Sequence, residues 1–407
     1  MNTRWTLIRK GSGLMCTVAL RLILVLGILL VPHAHATGRA HSNLSTGAKP
    51  TGDSEWSALG TGVNGEVFAI AVSGNDVYVG GMFTGAGTCT TGCKNIAKWN
   101  TSTESWSALG TGLDNEVFAI AVYGGLVYVG GAFSSAGTVS INRIAVWNGS
   151  AWSALGTGTN GTVRAIAISN GVVYAGGEFT RAGGCTGAAN GCYFVADWGG
   201  SGWSALGTGT DSNVFAIADG GTVVYAGGGF GSASGVSNTV GIALWDKPGW
   251  HALGTGMKGV AYYSVNAITV KGSDVYVGGT FDSAGDVPAT NIAKWINGSG
   301  WSALGPGIGD NGAVYAIAVS GSDVYAGGDF QDNDTGAPNH VAKWNNGTGW
   351  SALGQGTDGT VYAIAVSGTD VYVGGSFNLA GGKNAHGIAK YSIASFYLYL
   401  PFVLRSQ

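Results

Sequence analysis

Three residue blocks, each recurring seven times at intervals of 46 to 51 residues, predict an all-β fold: a seven-bladed β-propeller of four-stranded blades, closed by the N-terminal strand. The first block is Trp-Ser-Ala-Leu-Gly, with His for Ser once, beginning at Trp56, Trp106, Trp152, Trp203, Trp250, Trp301 and Trp350. The second is Tyr-Val-Gly-Gly or Tyr-Ala-Gly-Gly, at Tyr78, Tyr128, Tyr174, Tyr225, Tyr276, Tyr325 and Tyr372. The third ends on an aromatic residue at Trp99, Trp147, Trp198, Trp245, Trp295, Trp344 and Tyr391. After residue 36 no stretch sustains a helical period. A single unit cannot bury both its faces, so the units must pack on one another in a ring.

Taken in chain order, residues 1–36 read as an export signal. Arg4, Arg9 and Lys10 precede an apolar run from Leu14 to Val31, and Ala34-His35-Ala36 puts small residues at both positions that a signal peptidase reads. Cys16 stands at the start of the apolar run, behind Met15, and not after the run behind small residues, which excludes a lipoprotein box. Residues 37–55 are Gly/Ser/Thr-rich and read as a flexible linker. Residues 56–391 hold the propeller, and 392–407 form a C-terminal tail. The mature chain has no transmembrane span and is expected outside the cell, secreted or retained at the surface.

Within the first unit, Val67–Val72, Asp76–Gly80, Asn95–Trp99 and Trp106–Leu109 are the strand candidates. They are rich in aromatic and β-branched residues and bounded by Gly, Asn, Asp and Ser. Strict alternation puts Val67, Ala69 and Ala71 on one face of the first strand and Phe68, Ile70 and Val72 on the other. The repeats begin on a fourth-strand block and end after a third. Trp56–Leu59 is therefore expected to complete the seventh blade and remove two open sheet edges. The rival is the tail segment Ser395–Leu404, where Pro401 suits only an edge strand. Four units carry Asp two residues before the Tyr (Asp76, Asp274, Asp323, Asp370) and Lys before the third-block aromatic (Lys98, Lys294, Lys343, Lys390). These predict cross-strand ion pairs.

Val-Tyr-Val-Gly-Gly, then an aromatic, then the Trp99–Trp106 pair with six residues between, resembles a kelch repeat. Trp stands where kelch repeats usually carry Tyr in six units, and some turns are shorter. The whole pattern is closer to the Trp-Ser-Ala-Leu-Gly repeats of secreted bacterial propellers, and it also resembles the repeat region of fungal cortical markers of cell polarity. The resemblance covers residues 56–391 and implies the fold, with little bearing on function. The ending Tyr-Leu-Pro-Phe-Val-Leu-Arg resembles short tails of some exported bacterial proteins, which implies surface retention.

Composition excludes several classes. Glycine contributes 75 of 407 residues without a three-residue period, so the chain is not collagen-like. Hydrophobic residues make up 45%, too many for a disordered chain. Net charge is −3, and about −7 once the basic signal is removed, which argues against nucleic acid as a partner. Well inside the array the histidines are His251, His340 and His386, and no nucleophile elbow or phosphate loop occurs. No catalytic residue, cofactor or metal centre is therefore expected. A secreted hydrolase or lyase acting on polysaccharide remains the alternative, because propellers collect carboxylates from different blades. A purely structural surface repeat is the third reading.

Cys89 and Cys93, and Cys185 and Cys192, fall in the same second-to-third-strand loop of units one and three. In an exported chain each pair is expected as a local disulfide, with a zinc site as the rival. Asp329, Asp332, Asn333 and Asp334 form an acidic cluster that resembles part of a calcium loop. It lacks a third ligand before Gly336 and a Glu at the closing position, so it reads as a solvated loop. Asn-X-Ser/Thr occurs at Asn43, Asn100, Asn148, Asn160, Asn297, Asn333 and Asn346, which a glycosylating host could use.

The leading functional expectation is a monomeric, non-catalytic module that binds a glycan or a cell-surface protein. Its surface is expected where the fourth-to-first and second-to-third loops emerge. In four of six linkers, five positions separate the last Gly of the Gly-X-Gly from the following Val. From Gly256 to Val265 there are nine, with Tyr262 and Tyr263 among the extra residues. From Gly307 to Val314 there are seven, including Asp310 and Asn311. Variable loops in a regular array are where binding residues collect. Tyr rings and neighbouring polar groups suit a sugar, and Asp114 and Glu116 hold equivalent loop positions.

Overall fold

The computed structural model describes residues 55–185, 191–259, 263–309, 312–331 and 340–393. All lie in the second of the two units into which the chain divides, Lys49–Gln407. The expected signal and the rival closing segment Ser395–Leu404 lie outside the described residues. Among the described residues there is no helix, and so none long and apolar enough to cross a membrane.

Seven four-stranded antiparallel sheets are formed. The first contains, in sequence order, Glu66–Ser73, Asp76–Met82, Ile96–Asn100 and Ser105–Ser107. The first strands of the next five sheets are Val117–Tyr123, Val163–Ser169, Val214–Asp219, Ser264–Lys271 and Val314–Ser320. In the last sheet Val361–Ser367, Asp370–Gly375 and Ile388–Ser392 are joined by Trp56–Ala58. Trp56 lies opposite Tyr391 there, and Ala58 opposite Ala389. The architecture is propeller-like. Each first strand touches the first strand of the next sheet, and Val361–Ser367 touches Glu66–Ser73.

Two repeated contacts join neighbouring sheets. On the inner side, a Cβ added at Gly80 would lie 2.5 Å from Val117 Cγ1 and 3.0 Å from Ile120 Cδ1 of the next sheet. Only a residue without a side chain admits that approach. Gly374 meets Val67 and Ile70 in the same way, across the two ends of the described array. On the outer side, each fourth-strand Trp donates its indole Nε1–H to a Leu carbonyl of the neighbouring sheet at 2.8–3.0 Å. Trp106 donates to Leu59, and Trp56 to Leu353, so the series runs across the chain ends too. The paired third-strand and fourth-strand aromatics sit with ring centroids 5.2–5.6 Å apart. Such pairs add about 0.5–1.5 kcal/mol each beyond their buried area.

The expected strict alternation of the first strand does not hold. The register shifts between Val67 and Ala69, so Val67 pairs with Gly81 and Ala69 with Gly80. Phe68 is the extra residue of a β-bulge, and a bulge resets which side chains share a face. Val67 and Ile70 accordingly both reach Gly374.

The four Asp–Lys pairs form, with N···O distances of 3.0, 3.1, 3.5 and 3.1 Å. Lys98 lies opposite Tyr78, so it reaches Asp76 diagonally. Both disulfides form, Cys89–Cys93 and Cys185–Cys192, each with Cα atoms 5.8 Å apart.

Candidate functional site

The bulge recurs in all seven first strands. The bulged residue always sits between Val and Ala, and it is Phe68, Phe118, Arg164, Phe215, Asn266, Tyr315 and Tyr362 in turn. A bulged residue leaves the hydrogen-bond ladder, and its side chain is re-aimed. Five of these side chains meet across sheet boundaries near the start of the first strands. Phe68 stacks on Phe118 at 5.2 Å with 26° between the rings. Phe68 meets Tyr362 at 5.5 Å and Tyr362 meets Tyr315 at 5.6 Å. The Arg164 guanidinium lies over the Phe118 ring, 4.1 Å from its centroid. All seven residues are half-buried, so the ring is packed yet reachable.

Polar groups flank this ring. Arg164 is 2.7 Å from Glu178 Oε1 through Nη2 and 2.8 Å through Nε. The Tyr315 hydroxyl donates to Asp329 Oδ2 at 3.2 Å, and Ser376 Oγ donates to Glu66 Oε1 at 2.8 Å. Glu178, Asp329 and Ser376 each directly follow the Gly-Gly of their unit. Burial, then the Asp329 carboxylate, pushes the Tyr315 phenol up to about 12. Burial, then Glu66, raises Tyr362. Both phenols are therefore neutral donors near pH 7. A groove of ≈ 380 Å³ lined by Asn64, Glu66, Ser376, Asn378 and His386 opens beside this ring between the last and first sheets. A larger one of ≈ 690 Å³ lies on the outer strands, against Trp203, Trp245, Lys247 and Pro248. Its polar lining is Ser204, Thr208, Ser234 and Lys247 with no carboxylate beside the aromatic faces, so the ring is the stronger candidate. Among the described residues no group of three or more His, Cys, Asp or Glu is placed to hold a metal ion.

The residues singled out from sequence fall as follows. Tyr262, Asp310 and Asn311 lie outside the described residues, as do Asp332, Asn333 and Asp334. Tyr263 packs against the buried cluster that contains Ile242, Met257 and Phe281. Asp114 is exposed but engaged. Its carboxylate accepts from Ser134 N, Ser135 N and Ser134 Oγ at 2.6–3.0 Å. Asn64, Asn160 and Asp358 make the same backbone tie in their own units. Glu116 is half-buried, at the position in unit two that Glu66 holds in unit one. The bulge ring was missed by sequence reasoning. The available signal was the one position between Val and Ala whose identity changes from unit to unit.

No family model matches the chain, and no curated protein matches it in sequence. Solved structures match it in fold. U3-55K is 12% identical with a TM-score of 0.54, over 84% of this chain and 99% of that one. The extracellular domain of a one-component system from B. thetaiotaomicron is 12% identical with a TM-score of 0.53. That match covers 84% of this chain and 40% of the bacterial one. The WD40 β-propeller domain of Doa1 is 14% identical with a TM-score of 0.49, over 81% and 93% of the two chains. At 12% identity the likeness to U3-55K and to the bacterial extracellular domain is one of fold.

Proposed function

We propose that the chain is an exported, monomeric, non-catalytic binding module. Residues 56–391 close as a seven-bladed, kelch-like propeller; 1–36 serve as signal peptide, 37–55 as linker and 392–407 as tail. The pairing of Trp56 with Tyr391 and the Trp56–Leu353 hydrogen bond support closure. Two local disulfides suit an oxidising, extracellular setting. The ligand is a glycan or a cell-surface protein, taken at the end of the ring where the bulged residues converge. One observation carries this reading. A single backbone position, framed by Val and Ala in all seven units, bears Phe, Phe, Arg, Phe, Asn, Tyr and Tyr. Tyr262, Tyr263, Asp310, Asn311, Asp114 and Glu116 are proposed as outlying contacts on the same face.

The test is a glycan array and a panel of cell-surface ectodomains, probed with wild type and with Phe68→Ala plus Tyr362→Ala. Wild type should bind, and the double variant should lose binding while keeping the disulfides and a cooperative melt. Turnover of any glycosidase or lyase substrate, or binding unchanged in the double variant, would overturn the reading.

A further inference from the structure

We infer that the axial ring receives a guanidinium group, presented by an arginine side chain of a partner protein, in the sector of Tyr315, Tyr362 and Phe68. The inference rests on reading the ring as the binding surface, and it names what that surface takes. The protein carries its own template. In unit three the Arg164 guanidinium lies 4.1 Å from the centroid of Phe118, the bulged residue of the preceding unit. The same guanidinium pairs with Glu178, the residue after the Gly-Gly, at 2.7 Å. One ring and one carboxylate thus hold one planar cation.

The same two parts recur on the other side of the ring, and among the described residues no Lys or Arg pairs with them. Asp329 follows the Gly-Gly of unit six and lies beside Tyr315, which is 5.6 Å from Tyr362. Glu66 stands beside Tyr362, and Phe68 is 5.5 Å from that ring. Glu66 accepts from Ser376 through Oε1, and its Oε2 makes no hydrogen bond among the described residues. The residue before the Val of each first strand and the residue after each Gly-Gly include Glu66, Glu116, Glu178 and Asp329 and no Lys or Arg, so with Arg164 the positions flanking the bulges are net negative. Negative charge beside aromatic faces selects a cation.

Geometry separates the candidate cations. Interplanar angles of 61° and 52° give this sector no flat platform for a pyranose face, and with centroids 5.5 and 5.6 Å apart the rings touch one another, so a planar cation would stack on a single ring as Arg164 does on Phe118. Guanidinium is planar, weakly hydrated and able to stack on a ring while donating to a carboxylate, whereas an ammonium is a compact, strongly hydrated point charge. A long side chain also reaches a half-buried ring that a bulky ring-shaped ligand would meet only at its rim.

The experiment is calorimetric titration of the full exported chain with an acetylated, amidated Gly-Ser-Arg-Ser-Gly peptide. A second peptide carries citrulline, which keeps the shape and loses the charge. The arginine peptide should bind, and citrulline should weaken it about tenfold or more. Glu66→Gln keeps an acceptor for Ser376 and should weaken the arginine peptide severalfold without changing the melting temperature. Asp329→Asn should act in the same direction. Equal binding of the two peptides, or full binding by both variants, would overturn the inference. A chain that binds glycans or ectodomains but not the arginine peptide would sink this inference alone. A chain that binds none of these probes would sink the binding-module reading with it.

Discussion

The outer rim and the inner mouth are built on the same seven sheets, yet they treat sequence in opposite ways. At the rim, Trp stands on both paired strands in six sheets, and Trp56 faces Tyr391 in the seventh. Every fourth-strand indole finds the equivalent Leu carbonyl of its neighbour. At the mouth, the backbone repeats as faithfully, with a bulge in each first strand, but the side chain changes among Phe, Arg, Asn and Tyr. The contrast follows from what each position must satisfy. A buried indole N–H needs a fixed acceptor, and its bulk fills a gap of fixed shape, so substitution costs both. A bulged residue owes no ladder bond to its partner strand and is only half-buried. It is free to vary, and a binding surface can use that freedom.

This contrast is sharpest at the chain ends. Trp56 is 1% exposed, donates to Leu353 and packs on Tyr391. Trp56→Ala should destabilise by about 3–5 kcal/mol in chemical denaturation, the usual loss for a buried large aromatic. Deleting residues 37–50 should change little, whereas deleting 37–60 should match or exceed the point substitution. Phe68→Ala at the mouth should lose far less than Trp56→Ala. Equal losses would break the distinction between rim and mouth.

A second, smaller effect separates blade packing from the mouth. Gly80→Ala introduces a methyl 2.5 Å from Cγ1 and 3.0 Å from Cβ of the buried Val117, so Val117 or the strand beneath it must move to admit it. Overpacking of that kind should destabilise by about 1–3 kcal/mol. The Phe68–Phe118 stack starts at the same boundary between sheets, so ligand binding should weaken alongside stability. A neutral Gly80→Ala would show that the blades are not locked by that contact.

How far the sequence reached differs between these regions for a physical reason. The rim was legible because identical demands keep identical residues: the three blocks mark strands, Trp pairs and disulfide loops directly. Asp76 with Lys98 was legible too, since charge appears in both positions or in neither partnered form. The bulge was not. Val67–Val72 alternates cleanly on its own, and the extra residue exists only relative to the partner strand, where Val67 pairs with Gly81 and Ala69 with Gly80. Loop length pointed to the end of the units where the bulges lie, but not to the bulges themselves. It drew attention to Tyr263, which packs on the core, and to Asp114, which ties down its loop. The hint for Asp114 was the Asn at the same position in units one and three, since Asn and Asp share the habit of accepting from backbone N–H two or more residues away.

That substitution pattern gives the smallest effect. Asp114 accepts two backbone bonds and one hydroxyl bond, and Asn160 accepts the two backbone bonds and donates to the Thr180 hydroxyl instead. Asp114→Ala loses these ties and should destabilise by about 0.5–1 kcal/mol, the low end for a lost cap because the site is exposed. Asp114→Asn should be near neutral at pH 7. The two then part as acid is added. Burial alone would raise the Asp114 carboxyl, but the hydrogen bonds from Ser134 and Ser135 outweigh it and the net shift is downward. The carboxylate therefore adds stability that is complete above its unfolded value of about 3.9 and is lost as pH falls through the lower folded value. Wild type should lose slightly more melting temperature than Asp114→Asn between pH 7 and about pH 2. If Asp114→Asn already melts well below wild type at pH 7, the carboxylate does more than tie its loop. Its place on the mouth face would then count as part of the charged surface that the ring presents.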